Sequence, residues 1–274
     1  MTQSPGIAHL PIQKIRDTGV LDAIDELAIE EPLEIRLQHG PAADRREQSI
    51  SITMRTPGHD VQLATGFLFT EGIIPDASAI DMVSTYTANS ILVSLQKNIA
   101  LDLGKLQRHF YTTSSCGVCG KSSLEALRTV CPPPSGADWQ IDPETIHLLP
   151  AQLRLQQELF SSTGSLHAAA LFHKQGDYIT LKEDIGRHNA LDKLIGSSLQ
   201  EDMLPLSNHI LLLSGRACFE LIQKAAMAGI HVVAAVGAPS SLAVQLAQEY
   251  NMTLIGFLRD QRFNIYAGAH RVRI

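Results

Sequence analysis

Two cysteines three positions apart, Cys116 and Cys119, lie among glycines in Ser114-Ser115-Cys116-Gly117-Val118-Cys119-Gly120-Lys121-Ser122-Ser123. A thiolate, not a thiol, attacks sulfur or binds a metal, and a nearby lysine or the amides at a helix start favour the thiolate. Lys121 and the amides around Ser122 are placed to do this, ahead of a short helix expected over Leu124 to Val130. The glycines let the loop move, and the second thiol can resolve or shield a sulfur carried by the first. Three chemistries use such a pair: sulfur transfer, a redox dithiol and half of a zinc site. A redox dithiol of thioredoxin type sits near a βαβ start, which is not recognisable here. Zinc asks for four ligands, and beyond the pair there are only the isolated Cys131, Cys218, His167 and His188. The motif by itself leaves the three readings open.

A second group of residues points to anion binding. The turns Glu183-Asp184-Ile185-Gly186-Arg187-His188-Asn189, Ser214-Gly215-Arg216-Ala217 and Gly237-Ala238-Pro239-Ser240-Ser241 each follow an expected strand and open an expected helix. On mostly parallel strands these turns converge at one sheet edge, where helix amides together with Arg187 and Arg216 favour phosphate. The bland alternative is that Gly186, Gly215 and Gly237 permit tight turns while Ser240 or Ser241 caps a helix. Phe257-Leu258-Arg259-Asp260-Gln261-Arg262-Phe263 sets two more arginines beside aromatic rings, a combination that grips phosphate and stacks a base. The alternative there is a solvated hairpin end. His167 opens a buried strand, either as a hydrogen-bonded core residue or as a ligand contact.

The elements that must position these residues follow from hydrophobic period. Residues 1–25 carry Pro5 and Pro11 without sustained period and read as an extended arm, with structure expected from about Ile29. Leu33 to Leu37 and Ser49 to Met54 alternate apolar and polar residues around a Gly40-Pro41 turn, as in a hairpin. Asp60 to Phe69 has a helical period that ends before Gly72, and Ala79 to Tyr86 and Ser90 to Leu95 are strand-like. These make a small α+β domain over 26–112. The proline-rich stretch Cys131 to Gly136 closes a mobile connection over 113–136. Over 137–274, apolar strands at Ala168 to Phe172, Tyr178 to Leu181, Ile210 to Leu213, Val232 to Val236 and Thr253 to Phe257 alternate with helices at His188 to Ser197, Phe219 to Ala228 and Ser240 to Glu249. That alternation predicts an α/β layer with a partly parallel sheet covered on both faces.

The 274 residues are 45% hydrophobic and 18% charged, enough apolar material for a sizeable core. A formal net charge of −6 argues against nucleic acid as a partner. No segment approaches the roughly 18 apolar residues of a membrane span, and residues 1–16 lack the pattern of a secretory leader. Both features lead to an expected cytoplasmic location, and the four cysteines, too few for a disulfide scaffold in a chain of this length, are expected to be reduced.

Taken in order, several segments resemble the FdhD accessory proteins of formate dehydrogenase maturation: Glu31-Pro32-Leu33-Glu34-Ile35-Arg36, Met54-Arg55-Thr56-Pro57-Gly58, Gly66-Phe67-Leu68-Phe69-Thr70-Glu71-Gly72, the cysteine loop, Glu183-Asp184-Ile185-Gly186-Arg187-His188-Asn189-Ala190 and Gly256-Phe257-Leu258-Arg259. The resemblance implies a homodimer that receives sulfur from a cysteine desulfurase and transfers it to bis(molybdopterin guanine dinucleotide), so that the formate dehydrogenase catalytic subunit becomes active. It implies that Cys116 bears the persulfide, that Cys119 is its companion, and that residues 257–262 hold the cofactor, which a GDP-like nucleotide would mimic; the strand ends and turns read above add His167, Gly186, Arg187, Ser214, Gly215 and Arg216 to the expected contacts. A chaperone that binds the cofactor without covalent transfer is the alternative. The chain departs from the family pattern at Ser165, at Cys218 and at Asp260-Gln261. The resemblance also implies a three-layer α/β/α second domain with a mixed sheet, similar to cytidine deaminases but without zinc. Deaminases need H-x-E followed by P-C-x-x-C, whereas His167 precedes Ala168 and Ala169 and the C-x-x-C lies upstream.

Overall fold

Alternation of two builds the first sheet. In β3 (Glu31–His39) the side chains of Leu33, Ile35 and Leu37 turn inward and are almost wholly buried. Residues 6–17, 19–97, 99 and 139–274 are described by the computed structural model. Cys116, Cys119 and Cys131, with the helix expected over 124–130, lie outside them. Strand β3 pairs antiparallel with β4 (Arg46–Arg55) around Gly40, whose φ of 100° suits glycine. Strands β5 (Ile80–Thr87) and β6 (Ser90–Leu95) complete a four-stranded sheet in the order β4-β3-β6-β5, with β6 parallel to β3. Helix α1 (Asp60–Thr70) adds Leu63, Ala64 and Leu68 to the same core.

The extended arm expected over residues 1–25 is corrected. β1 (Ile7–Arg16) and β2 (Gly19–Ala28) pair along their full length as an antiparallel hairpin. Pro11 is tolerated because a two-stranded ribbon has an open edge on each strand. No burial pattern announces the hairpin, since Ile15, Val20 and Ile24 remain 65–75% exposed.

The second sheet is mixed, in the order β12-β11-β10-β9-β7-β8. Its strands are β7 (His167–His173), β8 (Tyr178–Asp184), β9 (His209–Leu213), β10 (Val232–Ala235), β11 (Thr253–Arg259) and β12 (Arg262–Ala267). Strands β9, β10 and β11 are parallel, whereas β7 and β12 run antiparallel to their neighbours. Its continuous apolar runs divide between two cores. Leu211, Leu213, Val233 and Ala235 face one, with α4 (Arg187–Gln200), α5 (Phe219–Met227) and α6 (Ser241–Glu249). Ile210, Leu212, Val232 and Ala234 face the other, against Ile146, Leu149 and Leu153 of α2 (Pro143–Gln156). Helix α2, the six-residue α3 (Glu158–Thr163) and β12 have no counterpart among the expected elements. Pro143 and Pro150 hide α2. Pro143 occupies the first turn, where its missing N–H costs nothing, and Pro150 is accommodated in the helix interior. No helix among the described residues is long and apolar enough to cross a membrane.

The two sheets are joined through α1 and α4, which approach so closely that only glycine fits. A Cβ on Gly66 would lie 1.9 Å from the Asp192 carbonyl oxygen, and one on Gly196 would lie 1.9 Å from that of Gln62. Beside the crossing, Lys224 Nζ meets Asp192 at 3.0 Å and Glu71 at 2.9 Å, and Thr70 donates its hydroxyl to Asp192 at 2.8 Å. Gly196→Ala forces backbone apart and is expected to cost about 3 kcal/mol, at the upper end of ordinary overpacking. Urea denaturation checks this, and an unchanged midpoint would mean that the helices do not meet at these glycines.

Candidate functional site

A cleft of about 530 Å³ opens where the parallel strands end, the edge at which α/β sheets bind ligands. Its floor comes from residues that follow or close strands: His167 at the start of β7, Ser214 after β9, Val236 after β10 and Leu258 near the end of β11. Arg259 and Asp260 form one rim. Arg154 of α2, Gln157 at the junction of α2 and α3, and Phe160 of α3 also line it, and the sequence did not single them out. The Arg154 guanidinium lies 4.7 Å from the centre of the Phe160 ring, so a cation and an aromatic face are held together. Gln157 is only 2% exposed, and its Nε2 finds no acceptor among the described residues. A buried amide without a partner costs free energy that a ligand acceptor would recover.

Of the expected contacts, His167, Ser214, Leu258, Arg259 and Asp260 line the cleft, while Gly186, Arg187, Gly215, Arg216, Phe257, Gln261 and Arg262 do not. Gly215 nevertheless packs against the His167 ring, where a Cβ would lie 3.2 Å from Nδ1. Burial first, and then the charges of Arg187, His188 and Arg216, hold the His167 pKa below its usual value, which favours the neutral imidazole. Ser214 Oγ accepts the Ala168 N–H at 2.8 Å and so is partly committed to the sheet. Asp260 and Gln261 both adopt positive φ, 52° and 55°, between paired Arg259 and Arg262. This two-residue hairpin turn aims Arg259 at the cleft and leaves Arg262 exposed outside it.

The turn that begins at Glu183 mainly holds the molecule together. Asp184 is fully buried, pairs with Lys193 Nζ at 2.7 Å, and accepts the N–H groups of Thr56 and Gly186. Lys193 also donates to the Thr56 carbonyl at 2.8 Å, and Asn189 Nδ2 donates to that of Met54 at 2.7 Å. Glu183 accepts the N–H groups of Leu159 and Phe160 at 3.0 and 2.9 Å, and thereby fixes the start of α3 beside the cleft. At the third turn the bland alternative is correct, since Ser240 Oγ accepts the Ala243 N–H at 3.2 Å as a helix cap.

His188 and Cys218, isolated in the sequence, are neighbours in the fold. His188 is the second residue of α4 and Cys218 the N-cap of α5, and His188 Nε2 lies 3.3 Å from Cys218 Sγ. Glu220 Oε2 is 3.8 Å from the same nitrogen. Burial opposes the imidazolium of His188, but hydrogen bonding to Cys218 and to Glu220 outweighs it and lifts the pKa to about 9. The bond to His188 holds the Glu220 carboxyl down at about 2. His188 and Cys218 stood as isolated candidates in the sequence and Glu220 was not singled out, because two strand-to-helix turns far apart in the chain supply the group.

Comparison with known proteins places the chain. The FdhD/NarQ family profile matches residues 28–273. A protein of Streptomyces avermitilis named sulfur carrier protein FdhD is 48% identical over 278 residues, covering 95% of this chain and 94% of that protein. One of the same name from Mycolicibacterium paratuberculosis is 50% identical over 259 residues, covering 90% and 92%. A crystal structure from Desulfotalea psychrophila, whose description proposes a formate dehydrogenase accessory role, aligns over 98% of this chain and all of that one. Its TM-score is 0.77 at 24% identity, which speaks to the fold. With the profile spanning nearly the whole length and relatives near half identity, the chain belongs to the FdhD/NarQ family.

Proposed function

We propose that the protein is a sulfur carrier acting in the cytoplasm, which takes persulfide sulfur on Cys116 from a cysteine desulfurase and delivers it to bis(molybdopterin guanine dinucleotide) for formate dehydrogenase. Near-full-length identity to proteins named sulfur carriers supports the sulfur chemistry. The observation that carries the rest is the cleft at the strand ends, with Arg154, Arg259 and a Gln157 amide that has no partner among the described residues. Two guanidinium groups suit phosphate, the Phe160 face suits a base, and the Gln157 N–H suits a base carbonyl. A GDP-like nucleotide would occupy the same place as the nucleotide end of the cofactor. The mixed sheet and its covering helices fit a cytidine-deaminase-like layer used for binding.

The loading step is an exchange. The Cys116 thiolate attacks the terminal sulfur of the desulfurase persulfide, a new S–S bond forms on Cys116, and the desulfurase thiolate leaves. For delivery, Cys119 attacks Cys116 Sγ, forms a Cys116–Cys119 disulfide and releases sulfide to the molybdenum. A cellular dithiol then reduces the disulfide. The exposed Ile15, Val20 and Ile24 of the β1–β2 hairpin supply an apolar surface suited to a second copy, which would remove it from water.

Two measurements follow. Intact mass after incubation with desulfurase and cysteine should rise by one reductant-sensitive sulfur on the wild type and not on Cys116→Ala. With desulfurase activity confirmed, no added sulfur on either protein would leave a cofactor-binding chaperone as the function. Calorimetry with GDP should show binding about tenfold or more weaker for Arg259→Ala and for Gln157→Leu, the loss expected when a hydrogen bond involving a charged or buried group is removed. Arg262→Ala should change little, and equal binding by all variants would take the nucleotide out of this cleft.

A further inference from the structure

We propose that His188 Nε2, Cys218 Sγ and Glu220 Oε2 form a three-ligand site for zinc(II), made without Cys116 or Cys119 as ligands and not required by the sulfur-carrier function. The geometry argues for an ion and against a nucleophile–base–orienter array. In such an array the carboxylate holds the ring nitrogen opposite the nucleophile. Here the sulfur, at 3.3 Å, and the carboxylate, at 3.8 Å, both converge on Nε2. All three donor atoms lie within 4.8 Å of one another. Tetrahedral zinc with ordinary bond lengths separates such donors by roughly 3.4–3.6 Å, so the nitrogen distances need only a few tenths of an ångström. The remaining adjustment falls on the Glu220 side chain, which is 57% exposed and free to swing.

Donor chemistry selects the metal. Thiolate with imidazole favours a borderline-soft ion, whereas calcium and magnesium require oxygen ligands. One thiolate and one carboxylate balance the charge of the ion, so the closed site adds no net positive charge beside the N-terminal ends of α4 and α5 and Arg187. The backbones are anchored, because His188 and Glu220 are each the second residue of a helix that follows a strand and Cys218 caps the second of those helices. Only side-chain rotation is needed to close the site. Three ligands from the described residues leave a fourth position, which water fills in an open zinc site. The expectation of a protein without zinc rested on motifs around His167 and on ligands close in sequence, and neither samples this constellation.

The other cysteines would confuse a simple metal assay. The test therefore uses the full chain with Cys116→Ser, Cys119→Ser and Cys131→Ser, so that Cys218 is the only thiol. After chelator treatment, zinc affinity is measured by competition with a chromophoric chelator, and cobalt(II) is added as a spectroscopic substitute. One equivalent of zinc and a thiolate-to-cobalt charge-transfer band are expected. Loss of an outer-shell partner alone typically weakens a metal site 10–100-fold, so Cys218→Ser and His188→Gln should weaken zinc by at least about a hundredfold and abolish or shift the band. Glu220→Gln should weaken it about tenfold. Unchanged melting of Cys218→Ser without metal separates ligand loss from misfolding. No zinc bound by the triple variant, or binding indifferent to Cys218→Ser and His188→Gln, would overturn the site while leaving sulfur loading on Cys116 untouched.

Discussion

The buried pair of Asp184 and Lys193 is the constraint on which the rest depends. Two charges out of water are stable only when geometry and hydrogen bonds compensate, and breaking such a pair typically costs about 3–5 kcal/mol. Both groups are fully engaged here, Asp184 with the amides of Thr56 and Gly186 and Lys193 with the Thr56 carbonyl. The pair ties the end of β4 to the end of β8 and the body of α4. It sets where α4 begins, and with it His188. The adjacent Glu183 anchors α3, and α3 with the end of α2 makes the wall of the cleft. A single joint therefore places α3 at the cleft and His188 relative to both sheets.

That joint changes the meaning of the segments that carried the family resemblance. Of these, only Glu183 to Ala190 was expected to bind a ligand, while Met54 to Gly58 and Gly66 to Gly72 carried the resemblance without an assigned role. Arg55 is 1% exposed and makes a bidentate contact with Asp60, at 3.0 and 2.9 Å, fixing the strand-to-helix turn. Gly66 permits the helix crossing, and Thr70 and Glu71 compensate Lys224. These residues are dictated by close approach and buried charge, which demand particular residue types as strongly as catalysis does.

Most strands and helices were legible because their burial repeats locally, every second residue in β3 and continuously in β9 and β10. The elements that escaped are those whose cause is remote. Helix α2 carries two prolines yet is held by Ile146, Leu149 and Leu153 against the far face of the sheet, and β12 pairs with β11 through a turn that lacks glycine. The site divides in the same way. Arg259, Ser214 and His167 stand at strand ends that a sequence can locate, whereas Gln157 and Phe160 enter the cleft only through α2 and α3. Cys218 and Glu220 lie thirty and more positions from His188, and no linear motif joins them. The cysteine loop was legible as chemistry, and its placement lies outside the described residues.

Sulfur transfer through Cys116 to the cofactor is the central claim, and maturation in the cell tests it most directly. Cells lacking this protein would be supplied with the wild type or with Cys116→Ala at equal expression, and formate dehydrogenase activity would be measured. The account predicts activity with the wild type and almost none with the variant. Full activity with Cys116→Ala would contradict it.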